Sequence, residues 1–109
     1  MQIVWDEKKN RSNRIKHRVS FEVASLVFED PFHLSILDRI ENGEERWQTL
    51  GMVGNVLLLL VAHTFAEQDD DEVVRIVSAR KATRKERQEY EKDHKETGGR
   101  IGGPRGDAR

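Results

Sequence analysis

Two clusters of positive charge hold most of the residues that could do chemistry. Lys8, Lys9, Arg11, Arg14, Lys16 and Arg18 crowd the start of the chain, and Arg75, Arg80, Lys81, Arg84, Lys85 and Arg87 crowd a later stretch. Such clusters attract phosphodiesters through charge and counterion release. The bland alternative is a pair of solvated helix faces, because basic runs are common. His63 closes a long apolar run, and His17 ends the first basic cluster. Either imidazole could move a proton near neutral pH. Strand-end hydrogen bonding competes with that role for His63, and complementing a helix C-terminal dipole competes for His17. His33 and His94 are given no chemistry. The chain lacks Cys, a Gly-rich phosphate loop and an H-E-x-x-H motif. Nucleotide-binding and zinc-hydrolase readings therefore have no support, and no metal or other cofactor is expected. Asp69-Asp70-Asp71 lacks the Gly and distal Glu of a calcium loop and reads as a solvated turn.

The net charge of −1 hides a segregation. Residues 1–20 carry six Lys/Arg against two Asp/Glu, residues 21–72 carry two against twelve, and residues 73–109 carry eleven against six. Two basic ends around an acidic middle suggest a polyanion-facing surface, if the fold brings the ends together. The 109 residues allow one domain with one modest core. The longest apolar run, residues 56–62, is far short of the ~20 a membrane span needs. The first residues lack the pattern of a signal peptide, and the lack of Cys fits a reducing compartment, so a cytoplasmic location is expected.

The elements that must position these residues follow from periodicity. Residues 2–5 read as a brief strand. Asp6 caps a polar helix over residues 7–17, in which Ile15 is the only large aliphatic. A helix this polar is either solvated or has a ligand on its face. Ser20 opens a second helix with Phe21, Ala24, Val27 and Phe28 as a core stripe, ended by Asp30-Pro31. Four antiparallel strands follow. Asn42-Gly43 marks the first hairpin, Gly54-Asn55 the second, and an acidic loop at 67–72 the third. The Val-Leu-Leu-Leu-Leu-Val run reads as a central strand buried on both faces. Alternation over residues 73–80 places Arg75 and Arg80 on opposite faces of the last strand. A strand-borne arginine is better fixed than one on a helix surface, which favours Arg80 as a site residue. Thr83-x-x-Glu86 is a capping box that opens a charged helix to about residue 95, pinned by Tyr90. The result is an α+β domain over residues 1–96: a short strand, two helices, a four-stranded antiparallel meander and a C-terminal helix. The Gly-rich tail, 97–109, is expected to be disordered.

Several of these segments also carry a family resemblance. Val4-Trp5-Asp6-Glu7-Lys8-Lys9-Asn10, with Asn13, Lys16-His17 and Val19-Ser20-Phe21-Glu22, resembles the start of the BrnT toxin family. Glu45-Arg46-Trp47-Gln48-Thr49-Leu50-Gly51 looks like its E-R-x-x-x-x-G strand. Val61-Ala62-His63-Thr64 and the run from Arg75 through Arg87, then Tyr90-Glu91, look like its last two strands and final helix. Arg18 departs from the family's usual Gly after Lys-His, so the first helix is expected to end differently. The resemblance implies a RelE-like fold and a bacterial type II toxin. It implies a metal-free, ribosome-independent endoribonuclease that inhibits translation and growth. A BrnA-type antitoxin would neutralise it in a complex of two toxins and two antitoxins, with DNA reached only through the antitoxin. On this reading Arg80 is the transition-state clamp, with Arg46 and Arg75 as further candidates. His63 and His17 are the proton-transfer groups, and Lys9, Lys16, Arg84 and Arg87 position the RNA backbone. The rival readings are a non-catalytic module that binds RNA or antitoxin and, last, a DNA-binding pair of the first two helices.

Overall fold

The structure, a computed structural model, describes residues 1–98. The chain runs β1 (Gln2–Trp5), α1 (Glu7–His17), α2 (Phe21–Ala24), a 3-10 segment (Ser25–Glu29), β2 (Leu34–Glu41), β3 (Glu44–Val53), β4 (Leu57–Gln68), β5 (Asp71–Lys81) and α3 (Arg84–Gly98). The strands form one five-stranded sheet in the order β1-β5-β4-β3-β2. β2 to β5 are the expected antiparallel meander, but the sheet does not stop there. β1 joins β5 in parallel, with Gln2 beside Val73 and Trp5 beside Ile76. The sheet is therefore mixed, with five strands rather than four. The tail expected from residue 97 begins inside α3, and the rest of it lies outside the described residues.

Local signals explain most boundaries. Asp6 accepts the Lys8 N–H at 2.8 Å, and Ser20 accepts the Val23 N–H at 3.1 Å. The Glu86 N–H donates to the Thr83 hydroxyl at 3.1 Å, while the Thr83 N–H donates to the Glu86 carboxylate at 2.8 Å. Asn42 and Gly43, at φ 54° and 77°, turn β2 into β3. The acidic loop is shorter than expected. Only Asp69 and Asp70 turn, at φ 51° and 67°, and their acidic neighbours are absorbed into β4 and β5. The second helix is also shorter. Ser25 Oγ donates back to the Glu22 carbonyl at 2.7 Å, and the chain tightens to 3-10 from that residue. α1 ends left-handed after all. Arg18 sits at φ 59° and ψ 31°, and its N–H donates to the Arg14 carbonyl.

The sheet carries a packed layer on each face. Phe21, Ala24 and Val27 cover Leu59, Val61, Ile76 and Ala79. Tyr90 covers Leu50, Leu58 and Leu60 on the other side. The leucine run of β4 supplies both layers alternately, which its unbroken hydrophobicity predicts. The Tyr90 hydroxyl donates to Asp30 Oδ2 at 2.5 Å and so ties α3 to the end of the 3-10 segment. Burial alone would raise the Asp30 carboxyl. Hydrogen bonds from Tyr90 and from the Met52 and Phe32 N–H groups outweigh it and hold the group below the usual range. Among the described residues, no helix is long and apolar enough to cross a membrane.

Candidate nucleic-acid interface

The polar first helix docks by hydrogen bonds. Its buried residues are Asn10 and Asn13. The Asn13 amide donates to the Ala79 carbonyl at 2.8 Å and accepts the Ala79 N–H at 3.1 Å. β1 stops pairing at Ile76, so Asn13 satisfies the β5 edge just beyond it. Asn13 also donates to the Val19 carbonyl at 2.9 Å, while Asn10 accepts the Phe21 N–H at 2.8 Å. Hydrophobic periodicity cannot detect this docking. The available signal was the placement of two amides three residues apart on a helix without an apolar face. With α1 held this way, Lys9, Lys16 and His17 line a hollow of about 280 Å³ together with Val77 and Ser78 of β5.

A bulge then decides which arginines share a face. Ala62 pairs with Ser78, but His63 pairs with Ile76, which leaves Val77 as an extra residue in β5. Strict alternation predicted Arg75 and Arg80 on opposite faces. The bulge places both on one face, Arg75 opposite Thr64 and Arg80 opposite Leu60. Ser78 lies on that face as well. Arg80 therefore stands beside the hollow on one side and the start of α3, with Arg84 and Arg87, on the other. Its guanidinium donates to the two Glu86 oxygens at 2.9 Å each, and to the Lys81 carbonyl at 3.2 Å. These hydrogen bonds raise the Arg80 pKa further and hold Glu86 below the usual carboxylate range. Glu86 thus caps α3 and holds Arg80 at once. The capping role was legible in the sequence and the second role was not.

Arg46 occupies the same face, in a row with Thr64 and Arg75. Thr64 and Leu60 are four residues apart on β4, so this row lies about 14 Å from Arg80. Arg46 and Arg75 therefore come together with each other, not with Arg80. Arg87 pairs with Glu91 at 3.8 Å.

His63 is on the opposite side of the sheet and is 5% exposed. Its Nδ1 lies 3.0 Å from the Thr64 carbonyl, which can only accept, so Nδ1 carries the proton. Nε2 then accepts the Thr49 hydroxyl at 2.7 Å, and Thr49 accepts the Ser35 hydroxyl at 2.7 Å. Phe28 meets the ring edge-on at 5.1 Å. Burial pushes the imidazole below the ordinary histidine range. Both nitrogens are committed and the sheet separates them from every candidate arginine. The sequence offers His63 and His17 together as the proton-transfer groups, but the fold gives them different surroundings.

A family model for the ribonuclease toxin BrnT of type II toxin–antitoxin systems matches residues 5–86. No curated protein sequence matches the chain. Among solved structures, the crystal structure of the Brucella abortus ribonuclease toxin BrnT is similar, with 25% identity and a TM-score of 0.54, covering 77% of this chain and 99% of that one. The matched span runs from the cations of α1 through the sheet to the Arg80–Glu86 pair, and this chain belongs to the BrnT family of ribonuclease toxins.

Proposed function

We propose that this chain is a metal-independent endoribonuclease that cleaves RNA by internal transesterification, and that a BrnA-like antitoxin neutralises it in a two-and-two complex. The RNA 2′-oxygen attacks the adjacent phosphorus as its proton is removed. The bond to the 5′-oxygen breaks, that oxygen takes a proton, and a 2′,3′-cyclic phosphate remains. Arg80 stabilises the charge that builds on the non-bridging oxygens. His17 is the proton-transfer group, because its side chain opens onto the hollow beside Ser78. Lys9, Lys16, Arg84 and Arg87 position the backbone, and His63 is structural. The observation that carries this reading is the placement of Arg80 and Ser78, two residues apart on β5, on one face at the edge of the cation-lined hollow.

The test is incubation of purified protein with RNA in EDTA, with end-group analysis of the products. The wild type is expected to leave cyclic phosphate ends. Arg80→Ala is expected to lose about 100-fold in rate, the order of one oxyanion donor. Equal cleavage by both proteins overturns the assignment. A non-catalytic binding module is the second reading, favoured by the engagement of Arg80 with Glu86. Binding of RNA without cleavage supports it. The DNA-binding helix pair is disfavoured, because α2 is a single turn, Phe21–Ala24.

A further inference from the structure

The geometry points to a second phosphate-binding site on the Arg80 face of the sheet, built by Arg46 and Arg75 and occupied at present by the Glu44 carboxylate. This site deepens the RNA-cleavage reading and rests on it. Arg46 of β3 and Arg75 of β5 flank Thr64 of β4 in one cross-strand row. Two strand spacings separate their backbones, about 10 Å. Their guanidiniums nevertheless converge. Arg75 reaches one Glu44 oxygen at 2.9 Å and Arg46 reaches the other at 3.3 Å. Two guanidiniums directed at two oxygens of one anion also match the non-bridging oxygens of a phosphodiester. Glu44 holds the place that such a group would take.

Two observations separate this cluster from an ordinary surface ion pair. Arg46 Nε is buried and has no hydrogen-bond partner among the described residues, and the carboxylate oxygen of Glu41 lies 3.8 Å away from it. A buried donor left unmade calls for a missing acceptor, and a phosphate oxygen is one. The second observation is placement. The β5 bulge turns Arg75 onto the face that carries Arg80, about 14 Å along the strand direction. An extended RNA strand whose reacting phosphate sits at Arg80 can place a phosphate further along the strand, about two nucleotides away, at Arg46 and Arg75. Glu44 directly follows the Asn42-Gly43 turn, so its side chain can leave without disturbing either packed layer. The pair therefore positions RNA at a distance from the bond that breaks, and Glu44 is an intramolecular competitor for the site.

The experiment uses the full chain and a fluorescein-labelled single-stranded RNA with 2′-O-methyl groups, which cannot be cleaved. Affinity is read by anisotropy between about 50 and 200 mM salt. Glu44→Gln is expected to bind about two- to fivefold tighter, the scale of one exposed ion pair. Glu45→Gln makes the same charge change on the opposite face of β3 and is expected to bind like the wild type. Arg46→Gln combined with Arg75→Gln is expected to weaken binding and flatten the log affinity–log salt slope by roughly 1.4, for two lost phosphate contacts. Unchanged or weaker binding by Glu44→Gln, or equal tightening by Glu45→Gln, overturns the second site. If the double variant fails to fold, those two single variants still decide. An Arg80→Ala arm separates the failures. Loss of affinity there, with an unchanged slope in the double variant, removes the second site and leaves the cleavage reading. No binding by the wild type at low salt removes both.

Discussion

A buried imidazole resists a second proton, because burial penalises the charged form. His63 donates through Nδ1 and accepts through Nε2 beneath the packed face of the sheet. Its folded pKa is lowered from 6.5, chiefly by burial. Between the folded and unfolded values the unfolded chain binds more protons, so stability rises with pH there. The contribution is complete above the unfolded value and is lost as pH falls toward the folded one. The urea midpoint is therefore expected to drop between about pH 7.5 and 5.5, bracketing the ordinary histidine range. In His63→Gln that slope should disappear, even if the variant is less stable at every pH. The carboxylates of Asp30, Glu86 and Glu22 are lowered from their ordinary values, which moves them away from this window. A variant with the wild-type slope would assign the effect to another group. Residue identity alone made His63 look available, because a sequence cannot show that Thr49 and Thr64 would meet its ring.

At the scale of elements, the joints carry most of the specificity. The 3-10 segment lies directly on β3, where a Cβ added at Gly51 would come within 2.6 Å of Val27 Cβ and 2.8 Å of the Val27 carbonyl. Backbone cannot yield as a flexible side chain can. Gly51→Ala is expected to cost about 3 kcal/mol in chemical denaturation, at the upper end of overpacking effects. The end of α1 offers the reverse case. Arg18 holds a left-handed conformation that costs a non-glycine residue about 1 kcal/mol, part of which glycine returns as backbone entropy. Arg18→Gly is expected to gain about 0.5 kcal/mol, read from the same denaturation curves. A loss would mean that the Arg18 side chain contributes more than its backbone strain costs. Strands, caps and the Asn42-Gly43 turn were legible because each depends on neighbours in the chain. The Val77 bulge was not, because an extra residue is defined only against the partner strand. The site inherited that gap, since the bulge decides that Arg75 shares a face with Arg80.

At the scale of the molecule, the segregation of charge acquires a geometry. The two basic ends meet because β5 borders α1 and β1 and is tied to the start of α3 by the Arg80–Glu86 pair. The acidic middle supplies the rest of the sheet and its hairpins. Glu67 and Glu72 pair at one end of β4 and β5, while Arg80 lies near the other. The segregation was legible in the sequence. The parallel docking of β1 was not, because four residues give no sign of which edge they will join. That docking, with the Asn13 clasp, binds residue 2 to residue 73 and residue 13 to residue 79. Contacts this distant in sequence form late, after the cost of closing the intervening chain has been met. The cations of α1 are made before β5 and have no strand to lean on until it follows them. The surface shared by α1 and β5 is therefore assembled only after β5 has been made, and a product interrupted before β5 cannot carry it.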